Sequence, residues 1–249
     1  MKKILILALC SSLVACEEKD LTTDNPAPED KNTLVATSFI YGDHGIHPDT
    51  ALTNDLGYSF FITDIQVVVN EFFFVESGDT IARRTEPFII NMTETDQPLV
   101  KLAPGGYSGY YGFQFGLDSA NSVGATPITL PEGNELRNSD VYRKGADGID
   151  HFVIKGRLID PDNPLDSVGT IPFEYRIGTY ATTRVEASLK QNFSLARNSR
   201  VKFVLQFDVK PIFKPLDIKK FPSITSDPTN PIDIAAAIAM SQNIDIGLF

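Results

Sequence analysis

Three histidines, His44, His47 and His151, are the residues whose type and spacing best suit metal chemistry, since neutral imidazole binds copper, zinc or nickel alike. His44 and His47 sit in the run Tyr41-Gly42-Asp43-His44-Gly45-Ile46-His47. They can share a metal if Gly45 bends the chain, with Asp43 or Asp49 orienting an imidazole. A His-x-x-His pair alone specifies little. His151 falls on the strand face opposite Phe152 and Ile154, beside Lys155 and Arg157, which reads as a solvated surface histidine unless the fold carries it to the other two.

Cysteine chemistry is confined to the N-terminus, where Leu13-Val14-Ala15-Cys16 resembles a bacterial lipobox. Lys2 and Lys3 give the basic start, and Ile4 to Leu13 an apolar run of signal-peptide length that is too short to span a bilayer. Cleavage before Cys16 makes it the lipidated first residue, with each buried acyl methylene contributing about 0.8 kcal/mol to anchoring. Cys10, the other cysteine, lies in the discarded segment, so no disulfide and no thiolate metal site is expected. The run Glu17-Glu18-Lys19-Asp20 resembles the export signals of Bacteroidetes lipoproteins that face outward. The expected location is therefore the outer membrane, held by lipid, with the cell surface favoured over the periplasmic side.

Other constellations are weaker. Asp160-Pro161-Asp162-Asn163-Pro164-Leu165-Asp166 offers oxygen ligands in a turn but lacks the glycine and terminal glutamate of an EF-hand loop. Gly106-Tyr107-Ser108-Gly109 misses the nucleophile-elbow spacing by one residue and sits in a strand pattern. The formal charge of −10 becomes about −12 once Lys2 and Lys3 are removed, which excludes nucleic acid as a partner.

The elements that must position these residues are strands. Residues 16–33 are polar and Pro-containing, and read as a flexible acidic tether between a 1–15 signal peptide and a single domain over 34–249. Period-two patterns mark strands at 34–41, 58–75, 86–91, 106–116, 150–159 and 170–177. Two more run over 185–195 and 201–209, and Ala196-Arg197-Asn198-Ser199 between them predicts a hairpin. The class expected is all-β, an antiparallel β-sandwich or barrel of Ig-like or jelly-roll-like kind. One short C-terminal helix, capped by Asn230 with Pro231 in the first turn, is expected to pack Ile234 and Ile238 on the sandwich. In Phe72-Phe73-Phe74 the middle ring must point away from its neighbours, to be covered by a loop or by that helix.

At residues 101–119, KLAPGGYSGYYGFQFGLDS, the chain resembles the MbnP-like lipoproteins, relatives of the copper-binding protein associated with methanobactin operons. Further segments follow in that family's order: GYSFFITDIQVVVNEFFFVESGDT (57–80), DGIDHFVIKG (147–156), PFEYRIG (172–178) and FDVKPIF (207–213). The resemblance implies a non-enzymatic β-sandwich that binds copper through histidines and, in some members, a tryptophan oxidised to kynurenine. His44, in a Phe-Asp-His-like position, matches a ligand best. This chain departs from the pattern twice: it has no tryptophan, so no kynurenine can form, and Arg176 stands where a histidine is expected before Ile-Gly. The segment matching the Trp-rich region is 134–146. The expectation is a scaffold with an altered or lost copper centre built from His44, His47 and His151. The alternative is a surface accessory lipoprotein that binds a glycan or a protein and no metal.

Overall fold

A computed structural model describes residues 32–94, 96–116, 132, 135–138, 140–141, 149–163, 165–178, 185–214, 216–226, 229–243 and 245–248. The lipobox with Cys16, most of the tether and most of 134–146 lie outside these.

The strands are β1 (Thr33–Tyr41), β2 (His44–Gly45), β3 (Leu52–Thr53), β4 (Ser59–Glu76), β5 (Asp79–Arg84), β6 (Phe88–Asn91), β7 (Asp96–Pro98), β8 (Gly105–Phe115), β9 (Asp150–Leu158), β10 (Ile171–Gly178), β11 (Val185–Leu195), β12 (Val201–Asp208), β13 (Ser223–Thr225) and β14 (Asp245–Leu248). Two helices interrupt them late, α1 (Lys210–Phe213) and α2 (Pro231–Ser241). A five-stranded sheet carries the order β14-β12-β1-β2, with β7 also on β1. A nine-stranded sheet carries β11-β8-β4-β9-β10-β13, with β3, β5 and β6 along the length of β4. The two sheets form the expected sandwich, and all but two pairings are antiparallel: β1 runs parallel to β12, and β10 to β13.

Packing follows from alternation. Phe39, Phe203, Leu205 and Phe207 turn inward from the smaller sheet and meet Phe72, Tyr111, Phe113 and Phe115 from the larger, all at least nine-tenths buried. Ring centroids of Tyr111 and Phe203 lie 4.5 Å apart, those of Phe72 and Phe203 5.3 Å, and those of Phe115 and Phe207 5.5 Å, within the range where aromatic pairs attract. The eighteen-residue β4 serves several partners because register shifts at Ile62/Asp64, Val69/Glu71 and Phe74/Val75 bend it.

Three expectations are corrected. β11 and β12 are not a hairpin: β11 pairs with β8 in one sheet and β12 with β1 and β14 in the other. Their apolar faces meet across the core, as the 5.7 Å Phe193–Phe203 contact shows, and a period-two pattern reads the same for a hairpin as for facing strands. α2 keeps its Asn230 cap, whose side chain accepts from the Ile232 and Asp233 N–H groups. It buries Ala237 and Met240 rather than its isoleucines, and Ile232 is 64% exposed. α2 lies against β10, β13 and α1, so it does not cover Phe73, which stays half-buried opposite Arg83.

Candidate functional site

β1 ends at Tyr41 and turns back through Gly42-Asp43 into β2, which pairs Tyr41 with His44 and Ile40 with Gly45. Gly42 has φ +62° while Asp43 does not have positive φ, the pattern of a two-residue turn with glycine first. The Asp208 carboxylate at the end of β12 fastens this turn, accepting from the Gly42 N–H and the Lys210 N–H at 2.9 Å each. A cleft of about 770 Å³ follows, lined by Tyr41, Asp43, His44, His47, Thr50 and Lys210 among others.

The chemistry of the cleft is mixed. Both imidazoles are exposed, and the Tyr41 ring is buried against Phe60 and Phe213 at 5.6 and 6.0 Å. Burial, and secondarily the Asp55 and Asp208 charges, push the Tyr41 hydroxyl up to about 12, so it stays a neutral donor. The Lys210 ammonium stands 5.9 Å from the Tyr41 ring centroid and 4.0 Å from Asp55 Oδ1. Neither Asp43 nor Asp49 hydrogen-bonds to either imidazole among the described residues, which corrects the orienting role expected of them. Lys210, Tyr41 and Asp208 did not stand out in the sequence. The Gly-Asp pair between two extended segments was the signal for the turn that gathers them.

His151 belongs elsewhere. It sits at the start of β9, whose other end, Leu158, pairs with Phe60 beside the Tyr41 ring. Seven residues of strand separate those ends, about 23 Å at roughly 3.3 Å per residue. The two faces of β9 also serve different clusters, since Phe152 and Ile154 point into the main core and Val153 into a second, outer one. A joint site of His44, His47 and His151 therefore does not form, as metal–nitrogen bonds are only about 2 Å long. Nor is His151 solvated: it is 4% exposed, with Gly116 against its ring. A satellite core of Val68, Ile89, Leu136, Val141, Ile149 and Val153 covers this part of the outer face.

From its chain neighbour Asp150 an ionic network extends. Arg176 Nη1 meets the fully buried Asp150 carboxylate at 3.1 Å and the Asp140 carbonyl at 2.7 Å, and Nη2 meets Glu174 at 2.7 Å. Burial opposes the guanidinium charge, but the Asp150 hydrogen bond and the Glu174 and Asp150 charges outweigh it and hold the pKa above its ordinary value. Lys155 bridges to Asp140 at 2.6 Å. Arg176, which stands where the resemblance expects a histidine, is thus the centre of a salt-bridge cluster. That cluster, with the lack of tryptophan in the chain, does not fit the copper centre the family resemblance implies. Among the described residues no group of three His, Cys, Asp or Glu side chains is placed to hold a metal.

The remaining constellations resolve into local structure. Asp166 accepts from the N–H groups of Asp160, Val168, Gly169 and Thr170, and from the Thr170 hydroxyl. These bonds, the Asp160 N–H foremost, hold its carboxyl down at about 2, so it closes a turn instead of offering oxygens to calcium. The Ser108 hydroxyl bonds to Asn192 at 2.7 Å rather than to an imidazole. No helix among the described residues is long and apolar enough to cross a membrane.

No protein-family model matches this chain, and no curated protein does. Among solved structures, MbnP from Methylosinus trichosporium is similar over 86% of this chain and 97% of that one, at 12% identity and a TM-score of 0.45. A likeness that distant carries neither activity nor ligand from one chain to the other.

Proposed function

We propose that this protein is a non-enzymatic lipoprotein, anchored through Cys16 in the outer membrane and facing the cell surface, whose β1–β2 cleft takes copper at a reduced, two-imidazole site. The observation that carries the metal reading is the exposure of His44 and His47 on one cleft, both open to solvent. Two imidazoles supply half of a four-coordinate shell, and water completes it. The surface reading rests on the run Glu17-Glu18-Lys19-Asp20 that follows Cys16.

A specific observation favours a second reading, an accessory lipoprotein that binds a glycan or protein and no metal. Lys210 places a cation in the same cleft, and Arg176 occupies the position where the resemblance expects a histidine. Elemental analysis after mild copper exposure, with Cu(I) titration of the wild type, His44→Ala and His47→Ala, separates the two. The metal reading expects one weak equivalent, lost in both variants with the melting temperature unchanged. No bound metal, or binding that persists in both variants, leaves the second reading. Protease shaving of intact cells tests the orientation.

A further inference from the structure

The larger sheet stops at β11, an eleven-residue strand that pairs with β8 from Val185 against Phe115 to Leu195 against Gly105 and with no other strand among the described residues. β14 touches β11 from the smaller sheet but forms no ladder with it. On an edge strand every second N–H and C=O points away from its neighbour and is open to another chain. Natural edges are guarded by a proline, a bulge, shortness or an inward-pointing charge. β11 shows none of these guards: it has no proline, its register with β8 runs without a shift, and the inward positions over 188–194 are Leu189, Gln191 and Phe193.

The inward face is incompletely covered. Leu189 and Phe193 pack on the main core yet stay half-buried, whereas Tyr111, opposite Leu189 on β8, is fully buried. The outward face carries Ser188, Lys190, Asn192 and Ser194, all exposed, with one charge among them.

Self-complementarity selects a register. When a strand pairs antiparallel with its own copy, a two-fold axis makes each residue meet the one equally far beyond the centre. Centring on Lys190 sets two ammonium groups face to face, which repels. Centring on Asn192 opposes the Gln191 amide to the Phe193 ring, and centring on Leu189 opposes it to Ala187. Centring on Gln191 makes Leu189 meet Phe193, Lys190 meet Asn192 and Ser188 meet Ser194, each pair twice, with two carboxamides on the axis. Apolar groups then meet on the inner face and groups that can hydrogen-bond meet on the outer face, with no like charges opposed.

We propose that β11 pairs with β11 of a second copy in this register, across a two-fold axis at Gln191, so that the two larger sheets run on as one. One strand per copy makes a small interface, and each copy carries a charge of −10, so the dimer is weak and strengthens with salt. The reach of that repulsion shrinks from about 30 Å at 0.01 M to about 8 Å at 0.15 M ionic strength. The pairing does not rest on the metal reading, since no residue of β11 lines the histidine cleft.

Sedimentation of the full chain should give a mass that rises from 27.4 kDa towards twice that between about 1 μM and 1 mM, more steeply at 0.15 M than at 0.01 M salt. Gln191→Lys puts two ammonium groups on the axis and should weaken association about tenfold or more. Circular dichroism should show its fold unchanged, because position 191 is half-buried at an edge where a lysine reaches water. A second arm uses a chain carrying Cys10→Ser and Cys16→Ser. There Gln191→Cys should oxidise to a disulfide-linked dimer, as directly opposed residues hold their Cβ atoms about 4.5–5.5 Å apart. Ser194→Cys should stay monomeric, being six residues, about 20 Å, from its own copy. A constant mass over the whole range, association unchanged in Gln191→Lys, association that weakens with salt, or equal cross-linking through positions 191 and 194 overturns the proposal.

Discussion

The end of the sandwich that carries His44 and the buried start of β9 that carries His151 use the same residue types in opposite ways. At the first, both imidazoles are exposed and the carboxylates of Asp208 and Asp166 cap backbone N–H groups of turns. At the second, His151 and Asp150 are buried and the guanidinium of Arg176 neutralises a carboxylate that water cannot reach. The difference shows that a histidine or aspartate acquires its role from what covers it. Exposed groups stay available to a ligand, whereas buried ones must be satisfied internally.

The largest effect that would break this comparison is expected at Asp150. Asp150→Ala leaves Arg176 without its buried partner and should cost about 3 kcal/mol, read by denaturant unfolding. An effect near that of an exposed substitution would mean the pair is solvated after all. Next comes the packing around His151. Gly116 has φ +75°, and a Cβ there would lie 2.8 Å from His151 Nδ1. Gly116→Ala should therefore destabilise by roughly 1–3 kcal/mol, while His44→Ala should leave the melting temperature unchanged. Equal melting temperatures for Gly116→Ala and wild type would place His151 in a looser setting than the buried cluster requires.

The smallest effect sharpens the first region through pH. The Asp166 carboxyl is held at about 2 in the folded chain against an ordinary value of 3.8. Its folded value is depressed, so its contribution to stability is present above pH 3.8 and is lost as pH falls towards 2. Asp166→Ala should thus melt below wild type at pH 6, with the gap closing near pH 2. A gap independent of pH would show that the loop is held by something other than the carboxylate.

Much of the fold was legible because alternation is a local property. Alternation predicts 58–75 for the strand over 59–76, 106–116 for that over 105–115, and 150–159 for that over 150–158. Short strands such as Leu52–Thr53 and Asp245–Leu248 were missed, since a few residues carry no period. In the site, His44 and His47 could be singled out by type and nearness in sequence. Lys210 could not, because it lies 163 positions beyond His47 and only the β1–β12 pairing closes that distance.

The sequence by itself determined the strand segments, the sandwich class and the Asn230 cap. All of these follow from residue type and spacing over a few neighbours. Tertiary structure alone decided that β11 and β12 face each other across the core, since facing strands and hairpin strands bury the same apolar stripe. It decided too that His151 is buried and apart from His44, because burial depends on Leu136, Val141 and Gly116, which the chain brings from elsewhere. Distance along the chain does not reveal which segment covers a surface, and that covering separates a ligand from a structural residue.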